Sequence, residues 1–464
     1  MAEAPRRRIV VATGDTVAAS MAGPGIRAWN LASELAAEHD VRLVTTAAAD
    51  VEGAPFLLEA VDDGGLRAAM AWCDVFVTQG WVLAGRPFLT ATDKVIVVDL
   101  YDPMHLEQLE QGHEAGTAAG RWAAVLDATA ALNEQLLRGD LFMCASAKQR
   151  DFWLGQLAAL GRVNPATYDA DPGFHGLVVS VPFGVPSTPP VRTGPGVRGV
   201  VPGIGGDDLV VLWGGGIYNW FDPLTLLRAV DLLRARVPGV RLVFMGTRHP
   251  NPEIPEMRMA VEARRLASEL GLVGTHVFFN DGWVPYHERQ NVLLDADLGV
   301  STHLDHIETE FSYRTRVLDY LWAGLPVVTT AGDAISALVE ARGLGATVPP
   351  SDASALAGAL EQLLRDRAAR AACRERIAAT VPELHWSAVS APLLAFCRDP
   401  RRAADLADPW AARQIRLRSK LVPRTGWRHD AAVAMTYLQE GGVSLVAKRA
   451  ATRMLRAAGL RRRV

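Results

Sequence analysis

The sequence predicts two α/β domains in tandem, each a doubly wound parallel sheet with helices on both faces. Three observations carry this. Short apolar, β-rich runs alternate with helical stretches from residue 8 onward. The alternation stops in a Pro/Gly-rich segment near residue 185 and restarts at 208. The chain has 464 residues, 49% hydrophobic and 21% charged, which suits about two to three folded domains rather than a disordered chain.

The elements follow in order. The N-terminus reads "MAEAPRRRIVVATGD". Its arginines resemble the start of a secretory leader, but the apolar run is too short for one and reads as a strand, 8–13. A glycine-containing loop, "GDTVAASMAGPG", leads into helical spacing over 26–39, and "DVRLVTT" (40–46) is the next strand. "CDVFVTQG" (73–80), "DKVIVVDLYD" (93–102) and "DLFMCAS" (140–146) repeat the form. This first domain spans 1–185, and 186–207 is read as a linker with few apolar anchors. The second domain spans 208–384, with strands in "DLVVLWGGG" (208–216), 240–246, 275–281, 296–302 and 325–330. "DPLTLLRAVDLLRARV" (222–237) is an amphipathic helix with an Asp-Pro start, and 352–379 is helical. A further helix is expected over 385–400. No stretch approaches the roughly 20 apolar residues of a membrane-spanning helix, so a cytoplasmic protein is expected.

The net charge of −3 hides an asymmetry. Residues 401–464 hold 15 Lys and Arg against 4 Asp and Glu, while the first 400 hold 33 against 47. A basic tail with helical pieces near 409–420 and 444–459 on an acidic body fits either a solvated tail or peripheral contact with an anionic membrane surface. The net charge of −3 gives no reason to expect nucleic acid as the main partner. Cys73, Cys144, Cys373 and Cys397 are scattered, without metal-ligand spacing.

In open parallel sheets, ligands bind beyond the carboxyl ends of the strands. The chemistry concentrates in "ETEFSYRTRVLDYLWAGLPVVTT" (308–330). A helix from about Ser312 to Trp322 would place Ser312, Thr315, Arg316 and Asp319 on one polar stripe, with Tyr313, Val317, Tyr320 and Leu321 toward the core. Its N-terminal amides with Arg314 and Arg316 would form an anion site. Asp319 can accept from a diol such as ribose, and Glu308 and Glu310 from sugar hydroxyls. In order, these groups describe a nucleotide-sugar site. The competing reading is a surface helix with ordinary charge pairs.

This stretch resembles the nucleotide-sugar site of glycosyltransferase family 4, a retaining family of GT-B fold. The family pattern is a Glu, a Gly-aromatic-Gly turn, a second Glu about two helical turns on, then Gly-x-Pro-Val. "GLPVV" (324–328) matches it. Asp319 stands at the second Glu, Ser312-Tyr313-Arg314 at the turn, and the first Glu would fall on Phe311, so Glu310 or Glu308 serves instead. The resemblance extends over most of 8–397. "GPGIRAWNLASELAAEHDVRLVTT" (23–46) looks like the family's N-terminal glycine loop, which makes Gly23, Gly25 and Arg27 candidates beside an ordinary strand–helix turn. "FFNDGWVPYHE" (278–288) resembles its base-binding loop, with Gly282, Trp283 and Val284 flanking the base or Trp283 in the core. "HWSAVSAPLL" resembles its crossover helix.

One departure stands out. Where the family places Arg and Lys after the first strand of the second domain, this chain has "WGGGIYNWFDP" (213–223). Gly215 and Gly216 still allow close backbone approach, and the cations must come from Arg314, Arg316, Arg248 or Arg27. In "VVDLYDPMHLE" (97–107), His105 or Asp102 are candidates beside the donor sugar, and His303 is a comparable one.

The resemblance implies a metal-independent, retaining sugar transfer from a nucleoside-diphosphate donor to a sugar, lipid-linked or small-molecule acceptor, with no cofactor. The basic tail, where it is not simply solvated, adds the expectation of a membrane-linked or cell-envelope acceptor at the inner membrane face. "DAD" (295–297) sits in a helix-end context and is not read as a metal motif, no Ser-His-Asp signature is seen, and the "GPG" before Ile26 is not GxGxxG. Two rivals remain: a sugar-nucleotide-binding protein with weak catalysis, and a nucleotide-sugar epimerase.

Overall fold

The computed structural model describes residues 5–114, 117–247, 256–282 and 284–418, with isolated positions 434, 435, 438 and 443 beyond them. The first sheet contains β1 (Arg8–Thr13), β2 (Asp40–Thr45), β3 (Leu57–Ala60), β4 (Val75–Gln79), β5 (Val95–Asp99), β6 (Leu141–Cys144) and β7 (Val178–Ser180), in the order β3-β2-β1-β4-β5-β6-β7. The second contains β8 (Leu209–Trp213), β9 (Val240–Phe244), β10 (Val277–Phe279), β11 (Leu298–Ser301), β12 (Val327–Thr330) and β13 (Gly345–Val348), in the order β10-β9-β8-β11-β12-β13. The ladders are parallel: Ile9 opposes Val41 and Val75, and Val211 opposes Leu242 and Leu298. Central strands such as β4 and β8 are almost wholly buried, as sheets covered on both faces require. The apolar pattern does not single out β3, β7 and β13, which are short and only partly buried.

The strand order reverses between β1 and β4 in the first domain and between β8 and β11 in the second. At such a point, neighbouring strands send their loops to opposite sides and leave a crevice. The loops after β1, β8 and β11 therefore lie where a ligand can enter each sheet.

Local chemistry sets the helices. Asp222 accepts from the Thr225 amide at 2.9 Å and starts the Pro223–Arg234 helix. The expected single helix over 352–379 is two, Ala353–Arg365 and Arg367–Thr380, because Asp366 ends the first and caps the second through the Ala369 amide.

The segment 186–207 is not a loosely anchored linker. Val197 and Ile204 are buried, and Asp295 accepts from the Val197 and Arg198 amides at 2.6 and 3.0 Å. Asp297 accepts from the Val210 amide at 2.8 Å and pairs with Arg198. The acidic pair of "DAD" thus straps this segment to the second domain.

The chain passes between the domains twice, and the passages pair. Val185 and His385 form a parallel bridge, with Trp386 N–H donating to the Val185 carbonyl at 2.9 Å. A Cβ on Gly184 would fall 2.8 Å from the Trp386 backbone, so only glycine fits. The Ala391–Arg398 helix then lies on the first domain, where Arg398 pairs with Glu38. Arg162 and Asp405, both fully buried, form a two-pronged ion pair at 2.7 and 3.1 Å. Arg402 reaches Asp140 at 2.8 Å. The start of the basic segment therefore serves folding, and its helix near 409 is seen as Pro409–Arg418. The piece expected at 444–459 lies outside the described residues. All four cysteines are buried and free. Among the described residues, no helix is long and apolar enough to cross a membrane.

Candidate functional site

The loops at the two switch points enclose a cavity of about 740 Å³ between the domains. Its second-domain wall is built on the Thr315–Trp322 helix. The sequence reading starts this helix at Ser312, but Ile307–Phe311 forms its own short helix, and Ser312–Arg314 is the turn between the two. Gly324, at φ +68°, ends the longer helix, and the Leu325 amide returns to the Tyr320 carbonyl at 2.8 Å.

Tyr320 locks this helix to the sheet. Its hydroxyl donates to the Val300 carbonyl at 2.9 Å and accepts from the Gly214 amide at 2.6 Å. Its ring lies where a Cβ on Gly299 would come within 2.3 Å. One buried side chain thus ties this helix to the glycine loop after β8. Gly215, at φ +112°, has nothing near the position of a Cβ and faces open space. No side chain caps the helix and the Val317 amide turns back to the Arg314 carbonyl at 3.1 Å, so the Thr315 and Arg316 amides are left for water or a ligand.

Arg316 lies beside them. It is 9% exposed, donates to the Gly216 carbonyl at 2.8 Å and stacks over Phe221 and Trp213 at 3.9 and 4.5 Å. Its Nη1 is buried without a partner. Burial pushes its pKa down to about 10, and nearby Arg314 adds to this, so the group stays charged at neutral pH but poorly compensated. Arg314 differs: it is forked onto Glu308 at 3.1 and 2.8 Å, with Asp333 at 3.6 Å. Asp319 accepts from Arg289 Nε at 3.0 Å and keeps about a third of its side chain exposed (32%). Arg289 is stacked on Tyr286 and Trp322.

The first-domain wall carries Tyr101, Asp102 and Glu107. Asp102 and Glu107 share a hydrogen bond, and burial raises both carboxyl pKa values, Asp102 to about 7. The charge of Glu308 across the cavity adds to the rise in each. A carboxyl pair in this setting holds a proton near neutral pH.

The cavity brings together Gly23, Asp102, Gly215, Gly216, Val284, Glu308, Ser312, Tyr313, Arg314, Thr315, Arg316 and Asp319 from the sequence-stated candidates. Others sit elsewhere. Arg27 is fully buried, forked onto Asp99 at 2.6 and 2.9 Å, and bonded to the Val181 and Pro182 carbonyls; it pins the first domain and has no reach to a phosphate. A Cβ on Gly25 would fall 2.4 Å from the Thr16 carbonyl, so this glycine serves helix–loop packing. His105 packs against Phe152 and Trp153, where burial lowers its pKa to about 4, and it is not on the cavity wall. Glu310 is exposed and pairs with Lys148 of the first domain, not with the cavity. Gly282 is on an exposed turn, its amide on Asn280. His303 is fully buried behind Glu308, 3.6 Å from Asp333. Glu308 and Arg314 reach the cavity, but as partners of each other. Arg248 and Trp283 lie outside the described residues.

Glu107, Tyr218, Tyr286 and Arg289 also line the cavity, and the sequence pattern does not single them out. Glu107 stood in the same stretch as Asp102, with the spacing that puts both on one loop–helix junction. Arg289 carried no signal, because its partner Asp319 is brought to it only by the packing of two separate elements.

Residues 208–366 match the family model described as glycosyl transferases group 1. A search of curated protein sequences finds no match. Among solved structures, the chain is similar to sucrose-phosphate synthase from Thermosynechococcus elongatus (18% identity, TM-score 0.57, covering 85% of this chain and 98% of that one). It is also similar to WaaG, a glycosyltransferase involved in lipopolysaccharide biosynthesis (18%, 0.59, 84% and 100%). A third is Anabaena HepE in complex with UDP and glucose (14%, 0.61, 84% and 99%).

Proposed function

We propose that this chain, which has the two-domain GT-B fold of glycosyltransferases, transfers a sugar from a nucleoside-diphosphate sugar to an acceptor held in the interdomain cavity. The observation that carries the reading is Arg316. A buried guanidinium with a bare Nη1 beside a glycine loop and an uncapped helix start is suited to a diphosphate. It supplies from the helix the cation that the loop after β8 lacks. The UDP bound by HepE supports a nucleotide donor.

Within this reading, Asp319 and Arg289 hold the ribose, Gly215 and Gly216 approach the phosphates, and Val284 borders the base. Asp102 and Glu107 face the acceptor. Departure of the diphosphate is eased by Arg316 and the helix amides, an electrostatic stabilisation that requires no metal and no cofactor. Retention of configuration, as in glycosyltransferase family 4, is part of the proposal. A lipid-linked or cell-envelope acceptor at the inner membrane face rests on the basic composition of 401–464 alone.

The test is calorimetric titration with a panel of nucleoside diphosphates and their sugars, followed by NMR of the product anomer with and without a chelator. Binding of at least one diphosphate, and an α- or β-linked product matching the donor, is expected. Absence of binding across the panel counts against the reading. The pairing of Arg314 with Glu308 neutralises one expected cation and favours a second reading, donor binding with little turnover. Tight binding without product would select it.

A further inference from the structure

Gln149 is fully buried at the start of the Ala147–Ala159 helix, where Ser146 caps its amide. Its side chain uses three hydrogen-bonding positions. Oε1 accepts from the Ala145 amide at 2.7 Å, and Nε2 donates to the Tyr101 carbonyl at 2.8 Å and to the Phe311 carbonyl at 2.6 Å. The first two partners belong to the first domain and the third to the second. Tyr101 precedes Asp102 on one wall of the cavity, and Phe311 precedes Ser312 on the other. Beside this amide, the Phe152 and Phe311 rings lie 4.7 Å apart, and Lys148 pairs with Glu310. The far rim is joined separately, by the Tyr286 amide on the Ala19 carbonyl at 3.0 Å.

We propose that Gln149 is an interdomain latch: a positioning residue whose carboxamide holds the Tyr101–Asp102 wall against the 311–316 segment and so completes the cavity. The proposal rests on the reading of that cavity as the transfer site. Asp102 and Glu107 of one domain face Glu308 of the other, whose charge Arg314 pairs at 3.1 and 2.8 Å. The contact is suited to opening. When the domains part, Gln149 keeps two bonds within its own domain, and the freed N–H and the Phe311 carbonyl pass to water rather than being orphaned. One such bond and one ring contact each shift an equilibrium by about tenfold or less, a strength that allows exchange of substrates. The exposed Lys148–Glu310 pair adds little.

The experiment compares wild type, Gln149→Ala, Gln149→Glu and Phe152→Leu. Gln149→Glu keeps the shape but sets carboxylate oxygens against two carbonyls. Phe152→Leu leaves every Gln149 bond and removes the ring contact. Small-angle scattering and hydrogen exchange need no substrate. Expected are a larger radius of gyration and about tenfold faster exchange in peptides covering 101–107 and 312–316, with β4 and β12 as protected as in wild type. In turnover, kcat falls while nucleoside-diphosphate affinity stays within about threefold. Wild-type scattering and exchange in both Gln149 variants overturns the latch. So does loss of protection spread through β4 and β12, which marks a purely structural role. If wild type binds no nucleotide, the transfer reading fails, and the scattering and exchange still decide on the latch.

Discussion

Replacing Arg316 by Met tests the site most directly. The guanidinium is buried, lies over Phe221 at 3.9 Å, makes one bond to the Gly216 carbonyl and leaves Nη1 bare. Its pKa falls from 12.5 to about 10, first through burial. A base with a lowered folded pKa destabilises the fold wherever it must stay charged, below about 10, and the penalty disappears above its free value. At neutral pH this difference corresponds to roughly 3 kcal/mol against folding. The stacking and the Gly216 bond offset part of it, by about 1–2 kcal/mol. Arg316→Met keeps the apolar stem contacts and removes the charge, so its melting temperature should match or slightly exceed that of wild type. Affinity for a nucleoside diphosphate should fall by about 2–3 kcal/mol, roughly 30- to 150-fold, as charge-assisted bonds to phosphate are lost. Calorimetric titration and thermal melting at neutral pH measure both. A stable variant that binds within about threefold of wild type would refute the phosphate role of Arg316. Arg316→Lys should recover only part of the affinity, because a point charge cannot both fork a phosphate and bond Gly216.

Asp319→Ala should weaken diphosphate-nucleoside binding by about tenfold, through the ribose and through release of Arg289; a matched 2′,3′-dideoxy nucleotide should show little further loss, and equal losses for both ligands would remove the ribose assignment. The Asp102–Glu107 pair makes the native state hold a proton that the unfolded chain releases, so its contribution to stability should decline as pH rises from the ordinary carboxylate range, about 4, towards about 7. Urea unfolding of Glu107→Gln across that window should give a flatter profile, and parallel profiles would argue against the shared proton. Asp405→Asn should cost about 3–5 kcal/mol, since it leaves Arg162 buried without its counter-charge, whereas Arg162→Met with Asp405→Leu should recover most of it; denaturant midpoints of the single and double variants decide. Gly299→Ala should destabilise by about 1–3 kcal/mol, because its methyl would meet the Tyr320 ring, and an unchanged melting temperature would show that the ring can yield.

Much of the architecture was legible in the chain. Buried parallel strands need continuous apolar runs, and runs such as "RIVVAT" and "LVVLW" exist for no other reason; a Pro/Gly-rich break has little choice but to separate two cores. The positions of the loops after β8 and β11, and the polar stripe of Thr315, Arg316 and Asp319, follow from strand ends and helical period. Partnership did not follow. Nothing in the spacing of "ETEFSYRTR" says that Arg314 folds back on Glu308 while Arg316 keeps a bare Nη1, or that Glu310 turns away to Lys148. Arg27 resembled a loop cation until Asp99, on a strand far along the chain, claimed it. His105 stood beside Asp102 in sequence, yet the helix turned it into the aromatic packing of Phe152 and Trp153. Periodicity is a local property of the backbone, so sequence determines which face a residue occupies. Pairing of charges depends on how separate elements pack against one another, and in a buried setting those few ångströms decide whether an arginine spends all its donors on the fold or keeps one bare.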